Sequence, residues 1–290
     1  MTSDSKLVAS SDGTKIYADS NGNSSKPALV FIHGFMLSAG VFDCLFADEK
    51  FTSEFHLIRY DLRGQGRSGQ PKSAEGHVSK LYADDFAAVC DAFGSKKPYM
   101  VGWSYGCTVF ADIAAHLPHD YLSGAIFICG PPYLGAVLEG IVTPDLATIL
   151  PNLVSDTAPG AEHESAVSAF AGLLFTDTEN VPWDIKWSWR GMGAIPPPSS
   201  FGFALVREID AGPLIALGRK GFPLHVIGAT DDGMINAQGV LAEVGKYFVK
   251  LTSFVVEKGS HAVFYQSRDV VVESITSYLF DYFSLPTVFE

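Results

Sequence analysis

Cysteine is scarce: Cys44, Cys90, Cys107 and Cys129 are the only four in 290 residues. Four residues make no dense disulfide framework, and none stands in a C-x-x-C pair, which argues against a zinc knuckle. Positive charge is also short. Lysine plus arginine number 20 against 32 acidic residues, for a net charge of −12 and a pI near 5.0. A negative field repels nucleic acid and anionic lipid, so neither is expected as a partner. The opening Met-Thr-Ser-Asp-Ser-Lys lacks a basic stretch leading into an apolar one, so no secretory signal is expected. The notable uncharged run, Tyr121 to Leu138, is interrupted by Pro131-Pro132 and several glycines. It reads as a buried strand and a loop rather than a membrane helix. No repeat recurs at a fixed period. These absences point to a soluble, cytoplasmic protein.

What is present is core-forming material. Apolar residues make up 47% of the chain, aromatic residues 12% and charged residues 18%, which excludes a mostly disordered chain. Lys6–Ser10 and Lys15–Asp19 read as short strands split by the turn Ser11-Asp12-Gly13. Continuous apolar runs then recur at Ala28–Ile32, Phe55–Tyr60, Tyr99–Val101, Gly124–Cys129, Leu224–Ile227 and Leu251–Val256. Such runs predict strands buried on both faces, hence a parallel sheet. Between them Val78–Phe93, Tyr105–Leu117, Ala237–Phe248 and Asp269–Phe283 carry helical periodicity. Alternation of this kind predicts a doubly wound α/β sheet. Residues 135–218 break the rhythm, with no strand run, three prolines at Pro196–Pro198 and tryptophans at 183, 187 and 189. That is too long for a structureless loop and reads as a helical insertion, leaving a core of residues 1–134 and 219–290.

Gly102-Trp103-Ser104-Tyr105-Gly106 is a G-x-S-x-G pentapeptide between a predicted strand and a predicted helix, the setting of a nucleophile elbow. The turn is so tight that positions two before and two after the serine must be small. A serine hydroxyl needs a base. Of eight histidines, His33, His56, His77, His116, His119, His163 and His225 read as structural or surface residues. His261 follows the last strand on a glycine-containing loop, the place for the base in the chain order nucleophile, acid, histidine. The acid belongs after Leu224–Ile227, where Asp231 and Asp232 compete. The Asp-x-x-Ile spacing to Ile235 favours Asp232. Donors for an acyl oxyanion are expected from the Tyr105 main-chain N–H and from the Phe35 N–H in the loop after Ala28–Ile32.

At these residues the chain resembles capped serine hydrolases of the α/β-hydrolase fold, a group of esterases, lactonases, haloperoxidase-like perhydrolases and carbon–carbon bond hydrolases. The likeness runs through His33-Gly34-Phe35, Asp61-Leu62-Arg63-Gly64-Gln65-Gly66-Arg67-Ser68, the elbow, the Asp231/Asp232 loop and His261. Two positions depart from the pattern: Gln65, where histidine is common, and Cys107, where glycine or alanine is usual. The resemblance implies an eight-stranded, mostly parallel sheet with a helical cap between strands 6 and 7. It implies a cofactor-independent enzyme with no metal; Gly64-x-Gly66 lacks the third glycine of a dinucleotide loop. Relatives that use an aspartate at the elbow are excluded by Ser104, which favours acyl or ketone chemistry.

The insertion holds ten acidic residues against three basic ones. Anionic substrates are therefore disfavoured. Its aromatic residues leave material for an apolar pocket, and Trp103, Trp183 and Trp187 are the expected substrate contacts. A neutral hydrophobic ester or lactone is the expected substrate, with carbon–carbon cleavage of a ketone as the alternative and a non-catalytic ligand-binding protein as the third reading. The same apolar surface would serve as pocket, core or interface, so no oligomeric state follows.

Overall fold

A computed structural model describes residues 4–284. Its centre is one eight-stranded sheet in the order β1-β2-β4-β3-β5-β6-β7-β8. The strands are β1 (Asp4–Ala9), β2 (Lys15–Asn21), β3 (Ala28–Ile32), β4 (His56–Tyr60), β5 (Tyr99–Trp103), β6 (Gly124–Ile128), β7 (Pro223–Ala229) and β8 (Lys250–Val256). β1 and β2 run antiparallel to their neighbours, and every pairing from β4 to β8 is parallel. The central strands are apolar runs because helices cover them: β5 and β6 are buried along their whole length. The helices Ser79–Ala92, Val109–His116 and Gly212–Arg219 pack side by side, while Arg268–Ser284 packs on β7 and on the short helix Asp43–Phe46.

β8 departs from the expectation of a doubly buried strand. Thr252, Ser253 and Phe254 are exposed, because β8 is the sheet edge with β7 as its neighbour. The Thr-Ser pair inside the run is the residue-level sign of that exposure.

The segment between β6 and β7 is helical: Pro144–Leu153, Gly160–Leu173, Trp183–Met192 and Pro198–Val206, followed by Gly212–Arg219 against the core helix Val109–His116. Proline sets several of these starts. Thr143 caps the first of them, accepting from the Leu146 N–H, with Pro144 at the first position, where its missing N–H costs nothing. The segment is tied to the core by main-chain bonds. Thr143 N–H donates to Met234 O at 2.9 Å, Asn236 N–H to Ile141 O at 2.7 Å, and Ala262 N–H to Leu174 O at 2.9 Å.

Candidate active site

β5 delivers Ser104 at its carboxyl end, and the chain turns at once into the helical segment Ser104–Thr108 and then Val109–His116. Ser104 has φ +55°. A non-glycine residue in this left-handed region costs about 1–3 kcal/mol and persists only where its surroundings enforce it. The enforcement is steric. A Cβ at Gly102 would stand 2.6 Å from Cys107 Cα, and one at Gly106 would stand 2.7 Å from His33 O. The turn closes only because both positions lack side chains.

The Ser104 hydroxyl donates to His261 Nε2 at 2.8 Å. On the other side of the ring, Nδ1–H donates to both Asp232 oxygens at 2.9 Å. Asp232 Oδ1 also accepts the Met234 N–H at 2.8 Å and the Ile235 N–H at 2.9 Å. Both partners of the His261–Asp232 pair are 1% exposed. The carboxylate is therefore fixed by main-chain donors as well as by the imidazole. The neighbouring Asp231 points away: it is exposed, accepts the Thr230 hydroxyl, and its own N–H donates to Gly259 O.

The expected oxyanion donors flank the serine. A Cβ at Gly34 would lie 3.1 Å from Ser104 Cβ, so the loop after β3 runs against the nucleophile and brings the Phe35 peptide beside it. Among the described residues neither the Phe35 nor the Tyr105 N–H has an acceptor. The loop is held from below. His33 Nε2 accepts the Leu62 N–H at 2.9 Å, and burial holds the His33 pKa below the ordinary histidine value. Asp61 accepts the Ala39 N–H at 2.8 Å and pairs with Arg67 at 2.8 Å. The D-x-R-G-x-G-x-S turn thus braces the loop that carries Phe35.

The tryptophans expected to meet substrate are placed otherwise. Trp103 is fully buried: its indole N–H donates to His261 O at 2.9 Å, and its ring lies 5.3 Å from the imidazole. It supports the histidine from beneath. Trp183 and Trp187 are 72% and 48% exposed and lean on each other at 5.8 Å. The residue turned inward is Trp189, packed on Trp103 at 5.9 Å and on Phe175 at 5.2 Å. Positions 183 and 187 share one helical face, and a residue two further on projects to the other side. Phe35, Phe170 and Phe201 form a second aromatic group, with Phe35 5.4 Å from Phe201 and 5.8 Å from Tyr105.

Cys129, Arg207 and Asp112 lie beside these groups, and no local sequence signal marks them. Cys129, at the end of β6 with φ +45°, is buried; burial and the adjacent Asp232 carboxylate push its thiol well above the usual range. Arg207 and Asp112 form a buried ion pair at 2.8 Å beside Tyr105. Cys107 is core, its sulfur turned to Gly102 O at 3.1 Å. Among the described residues no group of three or more histidine, cysteine or acidic side chains is placed to hold a metal ion.

A serine on a strained strand-to-helix turn, linked through an imidazole to a carboxylate on an eight-stranded sheet, defines the class. Residues 29–274 match the alpha/beta hydrolase family model, and the chain belongs to that family. It is 35% identical over 130 residues to the bifunctional esterase/perhydrolase of Acinetobacter calcoaceticus, covering 44% of this chain and 45% of that protein. It is 24% identical over 244 residues to the pimeloyl-(acyl-carrier protein) methyl ester esterase of Klebsiella pneumoniae, covering 81% of this chain and 87% of that one. A match to the EphD protein of Mycobacterium tuberculosis, 36% identical over 97 residues, spans 16% of that protein's length. The crystal structure of an esterase from Rhodococcus sp. ECU1013 shares the fold, with a TM-score of 0.82 at 24% identity, covering 96% of this chain and 98% of that one.

Proposed function

We propose that the protein is a serine hydrolase that cleaves a neutral hydrophobic carboxylic ester or lactone through an acyl-enzyme on Ser104. The observation that carries this reading is the continuous hydrogen-bonded path from Ser104 Oγ through His261 to Asp232. In the proposed reaction His261 Nε2 takes the hydroxyl proton as Ser104 Oγ attacks the carbonyl carbon. The oxyanion that forms accepts the Phe35 and Tyr105 N–H groups, and Asp232 stabilises the imidazolium. His261 then returns the proton to the departing alkoxide oxygen. A water molecule, activated by the same imidazole, releases the acid and restores the serine. Residues 135–218 act as the cap. Of their three cations, Arg207 is spent inside on Asp112 and Arg190 pairs with Glu164, which leaves an outer surface dominated by acids. That field favours a neutral substrate over an anionic one.

The test is covalent. A fluorophosphonate probe is expected to mark the Ser104 peptide of the wild type and to spare that of His261→Ala. Ser104→Ala is expected to lower turnover on p-nitrophenyl esters by about 10⁶. A folded wild type with no Ser104 adduct overturns the reading. Turnover of a ring-cleavage diketone in place of esters and lactones would reassign the substrate to the carbon–carbon class.

A further inference from the structure

Arg207 is the first residue after the cap helix Pro198–Val206, and it is buried together with its partner Asp112. Its guanidinium makes contacts in two directions. Toward the core, Nη2 donates to Asp112 Oδ2 and to Thr108 Oγ1, each at 2.8 Å, both on the helical segments that follow Ser104. Toward the cap, Nη1 donates to Ala204 O at 2.9 Å and also to the Tyr105 hydroxyl. The Tyr105 hydroxyl in turn donates to Ala204 O at 2.9 Å. The guanidinium lies over two rings, Tyr82 at 4.2 Å and Tyr105 at 4.9 Å. Its planar fork is thereby saturated on its edge and covered on its faces, a site that lysine cannot reproduce.

Tyr105 is the residue whose main-chain N–H stands at the oxyanion position. Its side chain is gripped from the cap side, by Arg207 and Ala204 O, while its ring also touches Phe35, the residue of the second donor. Phe201, on the same cap helix, presses on Phe35. We propose that Arg207 is a positioning residue through which the cap helix Pro198–Val206 sets the oxyanion-hole geometry, so that seating of the cap controls the chemical step rather than substrate access alone. This rests on the serine-hydrolase reading. A donor displaced from an oxyanion costs less than its deletion, which typically removes about 10²–10³ in turnover.

The cleanest variant is Tyr105→Phe, which keeps the main-chain N–H and the ring and removes only the hydroxyl that Arg207 and Ala204 hold. Its expected effect is a loss of about tenfold in kcat with KM within threefold, and an equal loss of affinity for an aryl trifluoromethyl ketone. That ketone captures the serine as a hemiketal and presents its oxygen to the hole. Arg207→Lys keeps the charge and should fall between wild type and Arg207→Met/Asp112→Leu. The double variant replaces a buried ion pair with apolar groups, an exchange that often leaves folding intact. Its expected kcat loss is about 10–100-fold, again at unchanged KM. Thermal melts report folding for each, and Tyr105→Phe decides the matter should the double variant fail to fold. If folded Tyr105→Phe keeps wild-type kcat and ketone affinity, Arg207 is a structural residue and the proposal falls. If Ser104→Ala, measured alongside, stays active, it is the serine-hydrolase reading that falls instead.

Discussion

Asp232→Asn separates the two aspartates of the β7 loop and measures what the carboxylate does. In the structure His261 Nδ1–H points at both Asp232 oxygens at 2.9 Å, which leaves Nε2 free to accept the Ser104 proton. Asparagine has nearly the same shape and still accepts the Met234 and Ile235 N–H groups through its carbonyl oxygen. Its amide nitrogen, however, donates toward Nδ1. The favoured tautomer then carries its proton on Nε2, where it faces the serine as a donor and cannot take a proton. The imidazolium also loses its counter-charge, inside a site where both partners are 1% exposed and water screens little.

The same change in a serine protease triad lowers kcat by about 10⁴. At about 1.4 kcal/mol per tenfold, that is about 5 kcal/mol of barrier. A drop of this order is expected in kcat for p-nitrophenyl ester hydrolysis near pH 8, with KM little changed. Asp231→Asn is expected to change kcat by less than twofold, because Asp231 meets Thr230 and solvent rather than the imidazole. Stopped-flow acylation with the same ester separates the acylation step from deacylation. Retention of a tenth of wild-type kcat by Asp232→Asn, with the fold intact, refutes the tautomer argument. Greater damage from Asp231→Asn refutes the assignment of the acid.

Two other outcomes follow from packing and burial. Trp189→Ala empties a buried aromatic cluster on Trp103, Phe175 and Phe264 and is expected to cost about 3–5 kcal/mol in urea unfolding, while the exposed Trp183→Ala stays within about 0.5 kcal/mol. His77 and His225 are buried with pKa values lowered to about 4 by desolvation, against 6.5 for the free side chain. Between those pH values the unfolded chain binds more protons, so stability falls as pH drops below 6.5. Each ring is expected to cost about 2 kcal/mol at pH 5. Urea midpoints for wild type and His77→Gln/His225→Gln check this: the double variant should lose less stability between pH 7 and 5, and parallel curves would contradict it.

How far the sequence reveals such features depends on whether their cause is local. The strands β3 to β6 were legible because double burial demands an unbroken apolar run, and the elbow because its small–x–Ser–x–small spacing is contained in five residues, although the contact that demands Gly106 comes from the distant β3 end at Ile32 and His33. Asp232 was legible through Ile235, whose N–H bonds the carboxylate at 2.9 Å across a three-residue turn. The tryptophans were not. In Trp183-Asp-Ile-Lys-Trp187-Ser-Trp189 both helical faces carry indole, and only the position of the core beneath decides that Trp189 is buried. Trp103 reads as a pocket residue from its place in the elbow, yet it ends a strand covered on both sides and points under His261. The Arg207–Asp112 pair joins positions 95 residues apart, so no window on the sequence contains it.

Much of that long-range part involves the segment between β6 and β7. The sheet and the steric turn fix Ser104 without help, but the loops around it do not fix themselves. The acid loop is paired with Ile141–Thr143, through Thr143 N–H to Met234 O and Asn236 N–H to Ile141 O. The histidine loop gives the Ala262 N–H to Leu174 O. The segment after the serine is held through Arg207 and Ala204. If that segment lifted as one body each of these polar contacts would be lost, at about 1–3 kcal/mol for every group left buried and unpaired. The segment between β6 and β7 is therefore bonded to three separate loops around Ser104, with acidic residues on its outside and Phe170, Trp189 and Phe201 on its inside. On the proposed function, the outer face selects which molecules approach, and the inner face holds the groups that meet them in register.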